Sequence, residues 1–106
     1  MKGRILTEKM VADFSAYLKS EEKSENTIGK YLRDVQAFAA YLGGAAVTKE
    51  AVIAYKNKLL SENYAVRSIN SMLASLNSLF SFLGWTDCRV KSIKLQRQIY
   101  CLKKRN

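Results

Sequence analysis

The sequence predicts an all-α protein, a four-helix bundle, on three observations. Apolar residues recur at i, i+3, i+4 and i+7 in four separate stretches, the spacing of a helix with one buried face. No proline interrupts the 106 residues, so nothing stops long helices. Thr or Ser stands where three of the stretches begin, and glycine where two of them end. No strand-like alternation competes, and no internal repeat is visible. The length suits one domain with a single modest core. A composition of 48% hydrophobic and 25% charged residues is that of a globular chain.

Thr7 caps a first helix over Glu8 to Lys19, with Met10, Val11, Phe14, Tyr17 and Leu18 inward. Ser20 to Lys23 is a charged loop. Ser24 caps a second helix running to Leu42, whose stripe is Ile28, Tyr31, Leu32, Val35, Phe38, Ala39 and Leu42. Its outer side carries Asn26, Thr27, Lys30 and Arg33, a polar and cationic strip that reads either as solvated surface or as a surface facing an anion. Gly43-Gly44 ends this helix. Thr48 caps a third helix to Glu62, with Ala51, Val52, Tyr55, Leu59 and Leu60 inward and Lys49, Lys56 and Lys58 in water. Asn63-Tyr64 turns the chain into the fourth helix, Ala65 to Leu83, and Gly84 stops it, leaving Trp85 placed to fold back onto the core.

The fourth helix is a rod of about 27 Å from Val66 to Leu83, with Ile69, Met72, Leu73, Leu76, Leu79, Phe80 and Leu83 on its apolar stripe. Its other face is unusual. Ser68, Asn70, Ser71, Ala74, Ser75, Asn77, Ser78 and Ser81 occupy positions where a solvated helix normally carries Glu and Lys, and Arg67 is its one charge. Small uncharged residues let another surface approach closely. Taken alone, that surface is equally a second helix or a nucleic acid.

Charge favours the latter. Lys and Arg number 18 against 9 acids, a formal charge of +9 that suits a polyanionic partner. Met1 to Thr86 holds 11 basic and 8 acidic residues, net +3, and Asp87 to Asn106 holds 7 and 1, net +6, so the tail carries most of the excess. That tail has no firm apolar period and reads as a linker or a short extra helix. Cys88 and Cys101 have no metal-ligand spacing and there is no histidine, so no metal site or cofactor is expected, and the two thiols read as reduced and structurally incidental. Lack of histidine also removes Ser-His and Cys-His nucleophiles. No apolar run approaches a membrane span and no signal peptide precedes the first helix, so the expected location is cytoplasmic, nucleoid-associated when bound to DNA.

The order FSAYLKSEEKSENTIGKYLRDVQAFAAYL, VTKEAVIAYKNKLL, RSINSMLASLNSLFSFLGW resembles the N-terminal core-binding domain of tyrosine recombinases, the phage and transposon integrases among them. The resemblance covers Thr7 to Trp85. It is carried by Ser24, Asn26, Thr27, Ile28, Tyr31, Asp34, Phe38, Tyr41 and Leu42, and by Ser68-Ile69-Asn70 leading into Leu73, Leu76, Phe80 and Leu83.

The resemblance implies a SAM-like four-helix domain forming one half of a C-shaped clamp. Its second and fourth helices would face the major groove of the recombination core site. Onto this chain it carries Asn26, Thr27, Lys30 and Arg33, then Arg67, Ser68, Asn70, Ser71, Ser75 and Asn77. The basic segment after them, with Arg89, Lys91, Lys94 and Arg97, would follow phosphates, while Lys103 to Arg105 read either as a continuation of it or as a frayed end. It divides the chain into a helical DNA-binding domain, residues 1–86, and a basic linker, residues 87–106, toward a catalytic domain. The family's His-x-x-Arg motif has no counterpart, and Tyr17, Tyr31 and Tyr55 fall on apolar stripes as core residues, so no catalytic residue is assigned and the chain is expected to be no enzyme by itself. Partners so implied are double-stranded DNA, the parent chain's catalytic domain and sister protomers, with no membrane and no small-molecule substrate. With Arg67 as its one cation, the fourth helix carries fewer arginines than family members often do, which limits base readout. The competing function is a protein-interaction module docking a partner helix on the Ser/Asn face.

Overall fold

The computed structural model describes residues 4–93. Four helices follow one another as α1 (Glu8–Ser20), α2 (Glu25–Leu42), α3 (Lys49–Ser61) and α4 (Val66–Leu83), with a short 3-10 turn, η1 (Thr86–Cys88), after them. Among the described residues there is no strand. The all-α, four-helix reading is therefore the observed architecture.

Local chemistry sets the helix ends. The Thr7, Ser24 and Thr48 hydroxyls accept hydrogen bonds from the backbone N–H of Met10, Thr27 and Ala51 at 3.2, 3.1 and 3.0 Å, each satisfying one donor that the first helical turn leaves open. Ala65 offers α4 no such side-chain cap. Gly43 and Gly84 close α2 and α4 at φ +58° and +80°, a conformation glycine adopts without a Cβ penalty.

Helix α4 is the hub, packing against α1, α2, α3 and η1. Ile69, Leu73, Leu76, Leu79 and Phe80 are all but fully buried there, meeting Phe14 and Leu18 from α1, Val35 and Phe38 from α2, and Val52, Tyr55 and Leu59 from α3. Phe38 packs into an aromatic cluster, stacked on Tyr41, tilted against Tyr55 and edge-on to Phe80, ring centroids 5.1–6.4 Å apart.

Several inward assignments are corrected. Leu60 is 41% exposed and Tyr17 39%, since both lie at the margin of their stripes; the Tyr17 ring rests on Phe82 at 4.8 Å with its edge in solvent. Lys56 is half-buried rather than free in water, because its ammonium donates to the Lys91 carbonyl at 3.1 Å. Cys88 is no incidental tail thiol. It is buried in the core beside Val47. Residues 87–93, assigned from sequence to the linker, return across the bundle as η1 and an extended segment. Trp85 does fold back onto the core, half-buried, with the Arg4 guanidinium 5.7 Å from its ring centre. Arg4 also donates to Asp87 at 2.7 Å and to the Cys88 sulfur at 3.4 Å. Cys101 lies outside the described residues.

Candidate nucleic-acid interface

The polar face of α4 divides into two flanks and a crest. One flank meets α2. Ser75 is 0% exposed and its hydroxyl donates to Asp34 Oδ2 at 2.7 Å, while Lys30 Nζ donates to the same oxygen at 2.6 Å. Lys30 Nζ also lies 3.4 Å from the Ser71 carbonyl and from Ser75 Oγ. A buried carboxylate needs such partners, because its desolvation otherwise goes uncompensated. Asp34 meets Ser75 and, one turn further along α2, Phe38 meets Phe80 with ring centroids 6.2 Å apart, so the contacts advance in the same direction along both helices. Helices α2 and α4 therefore run the same way here, and their N-terminal ends, Asn26-Thr27 and Arg67-Ser68, lie on the same side of the seam.

The other flank meets the returning chain. Asn77 Nδ2 donates to the Val90 carbonyl at 2.9 Å and its Oδ1 accepts from the Val90 N–H at 3.1 Å. Asn70 treats Ile93 identically, at 2.9 and 2.6 Å. The sequence reading missed this use of the two asparagines. The sequence signal is a short one, the alternation of apolar and cationic residues in Cys88-Arg89-Val90-Lys91, whose apolar members are buried and whose cationic members are exposed in the fold.

Between the flanks, Arg67, Ala74 and Ser81 are exposed and Ser78 half-exposed, spaced as one strip along the helix. Beside it on α2, Asn26 and Arg33 are exposed, and Thr27, whose hydroxyl accepts from Ser24 at 2.9 Å, is half-buried. Gly29, also exposed, shares this strip, and a Cβ there would meet nothing within 4 Å. Ala74, Ser78 and Ser81 floor an open groove of about 410 Å³, walled by Tyr17 and Tyr31 and bordered by Lys23 and Arg89.

Of the sequence-predicted residues, then, Asn26, Arg33, Arg67, Ser68, Arg89 and Lys91 stand in solvent, and Thr27, Lys30, Asn70 and Ser71 are partly covered. Ser75 is sealed inside. Lys94, Arg97 and Lys103 to Arg105 lie outside the described residues. Among the described residues, Arg33, Arg67, Arg89 and Lys91 make no ion pair; Lys30 pairs with Asp34. Also among them, no cluster of three or more His, Cys, Asp and Glu side chains could hold a metal, and no helix is long and apolar enough to cross a membrane.

The family model described as phage integrase, N-terminal SAM-like domain, matches residues 11–87. The chain belongs to this family. Similar proteins include the tyrosine recombinase XerA of Pyrococcus furiosus, 31% identical over 87 residues, which is 82% of this chain and 30% of that protein. The tyrosine recombinase XerA of Pyrococcus horikoshii is 31% identical over 96 residues, 89% of this chain and 33% of the relative. That of Thermococcus onnurineus is 30% identical over 78 residues, 74% and 27% respectively. This integrase-type SAM-like domain thus spans about a third of the length of the curated relatives it matches.

Proposed function

We propose that this domain binds duplex DNA as the core-binding half of a site-specific tyrosine recombinase, contributing grip and register while the chemistry belongs to another domain. The observation that carries the reading is the seam of α2 and α4. Two helices running the same way set Lys30 beside Ser71, with Asn26, Gly29 and Arg33 exposed on α2 and Arg67 exposed on α4. Unpaired arginines at such a ridge supply phosphate contacts, the dominant and sequence-independent part of affinity. Gly29 adds support. Glycine inside a helix costs about 1 kcal/mol relative to alanine, and no internal contact requires it here. Close approach of a ligand backbone would account for it.

Sequence specificity of the isolated domain should be poor, since Ser and Asn on the ridge offer weak or water-mediated base contacts. Fluorescence anisotropy with a duplex oligonucleotide over a salt series tests the reading. Binding at micromolar strength or looser is expected, with log affinity falling steeply against log salt. A flat salt response would count against it.

A further inference from the structure

On the DNA-binding reading above, we infer that Asn70 and Asn77 are positioning residues of the interface: a main-chain clamp that holds residues 90–93 along α4 and thereby fixes Arg89 and Lys91 beside the ridge.

The geometry is that of a two-rung ladder. A carboxamide carries one acceptor and a donor on the same edge, matching the N–H and C=O of a single extended residue. Asn70 and Asn77 are two helical turns apart, about 10.5 Å along the axis. Val90 and Ile93 are three extended residues apart, about 10 Å. The rungs therefore coincide only when the segment runs opposite to α4 in this register, Asn77 on Val90 and Asn70 on Ile93. Lys56 holds the Lys91 carbonyl between the two rungs, and the Arg89 N–H is tied to the Thr86 carbonyl at 3.2 Å. Pinned on both sides, the segment keeps Val90 inward at 7% exposure and turns Arg89 and Lys91 to solvent. Arg89 reaches the groove over the α4 crest.

The alternative role for these asparagines is direct base reading. That role would need the same amide edge, since asparagine recognises adenine through a bidentate pair. In this fold the edge is already committed to main chain, so the asparagines serve DNA by what they hold.

Hydrogen exchange and DNA binding of the full chain, read together, test this. In Asn77→Ala and Asn70→Ala, the Val90 and Ile93 amides respectively should lose protection without DNA present, while the Leu76 amide in the core keeps it. Asn77→Asp, which retains the acceptor for the Val90 N–H, should fall between Asn77→Ala and the parent. With duplex DNA, the double alanine variant should show a salt slope shallower by roughly 2, about 0.9 for each phosphate that is no longer neutralised. In an Arg89→Gln, Lys91→Gln background the same alanine changes should have no further effect on binding. Unchanged protection at Val90 and Ile93 would overturn the clamp. A DNA defect that persists in full in the charge-removed background would make the asparagines DNA contacts themselves. A parent chain that fails to bind any duplex would defeat the DNA reading and the positioning role with it, whereas the exchange pattern judges the clamp separately.

Discussion

Replacing Ser75 with alanine separates a buried strut from a ligand contact, because the two roles predict opposite signs. The Ser75 hydroxyl has one proton, and the 2.7 Å approach to Asp34 outcompetes the 3.3 Å approach to the Ser71 carbonyl. Its acceptor is a carboxylate at 8% exposure. Hydrogen bonds to charged groups contribute about 1.5–3 kcal/mol. Alanine returns up to about 0.7 kcal/mol in helix propensity, leaving a net loss of about 1–2.5 kcal/mol. For a domain of this size, 1 kcal/mol moves Tm by about 4–8 °C, so thermal unfolding should occur roughly 4–20 °C lower. A serine on an exposed helical surface would instead gain a few tenths of a kcal/mol on the same change. Circular dichroism melts of Ser75→Ala decide it, and the coupling with Asp34→Asn in a double-mutant cycle should be at least about 0.5 kcal/mol. A Tm that stays level or rises would refute the buried network.

Three further outcomes are expected. Gly29→Ala should raise stability by about 0.5–1 kcal/mol in a chemical melt yet weaken duplex binding, and a variant that gains stability with unchanged binding would remove DNA from that strip. Arg33→Glu combined with Arg67→Glu should reduce affinity for all duplex sequences alike and flatten the salt slope by roughly 2, with the melt unchanged because neither side chain forms an ion pair among the described residues. The Arg4 guanidinium beside Asp87 holds that carboxyl below its ordinary value of 3.8, chiefly through their hydrogen bond. A carboxyl with a depressed folded pKa stabilises above its ordinary range and loses that contribution as pH falls through the folded value. The gap between the melts of the parent and Arg4→Ala should therefore narrow modestly as pH falls, since the pair is solvent-exposed, leaving at acid pH what Cys88 and Trp85 contribute.

Much of the fold was legible because its determinants are local. Thr7, Ser24 and Thr48 cap the helices they announce, and Gly43 and Gly84 stop theirs. The stripes of α2 and α4 name the core almost residue by residue. Leu60 and Tyr17 were misplaced because a stripe's margin depends on where the neighbouring helix ends, which periodicity does not encode. The Ser/Asn face of α4 was visible as an anomaly, but its division was not. Spacing gives the angular position of Ser75 and Asn77 on their helix and says nothing of Asp34, 41 residues away, or Val90, 13 residues on. Close packing and the candidate interface, weighed as alternatives for that face, occupy different strips of it: the flanks bind protein, and the crest stays open. The tail lacked a helical period because its described part is extended, and an alternation only four residues long is too brief to stand out.

The central claim is that the seam of α2 and α4 meets a double helix. Amide chemical shifts followed while a duplex oligonucleotide is titrated in at low ionic strength test it most directly. The predicted result is a set of perturbations gathered on Asn26 through Arg33, on Arg67 through Ser71 with Ala74, Ser78 and Ser81 of the crest, and on Arg89 with Lys91, fading as salt is raised. Silent spectra at those positions, or shifts gathered instead on the exposed Ile53 and Leu60 of α3 and indifferent to salt, would contradict it.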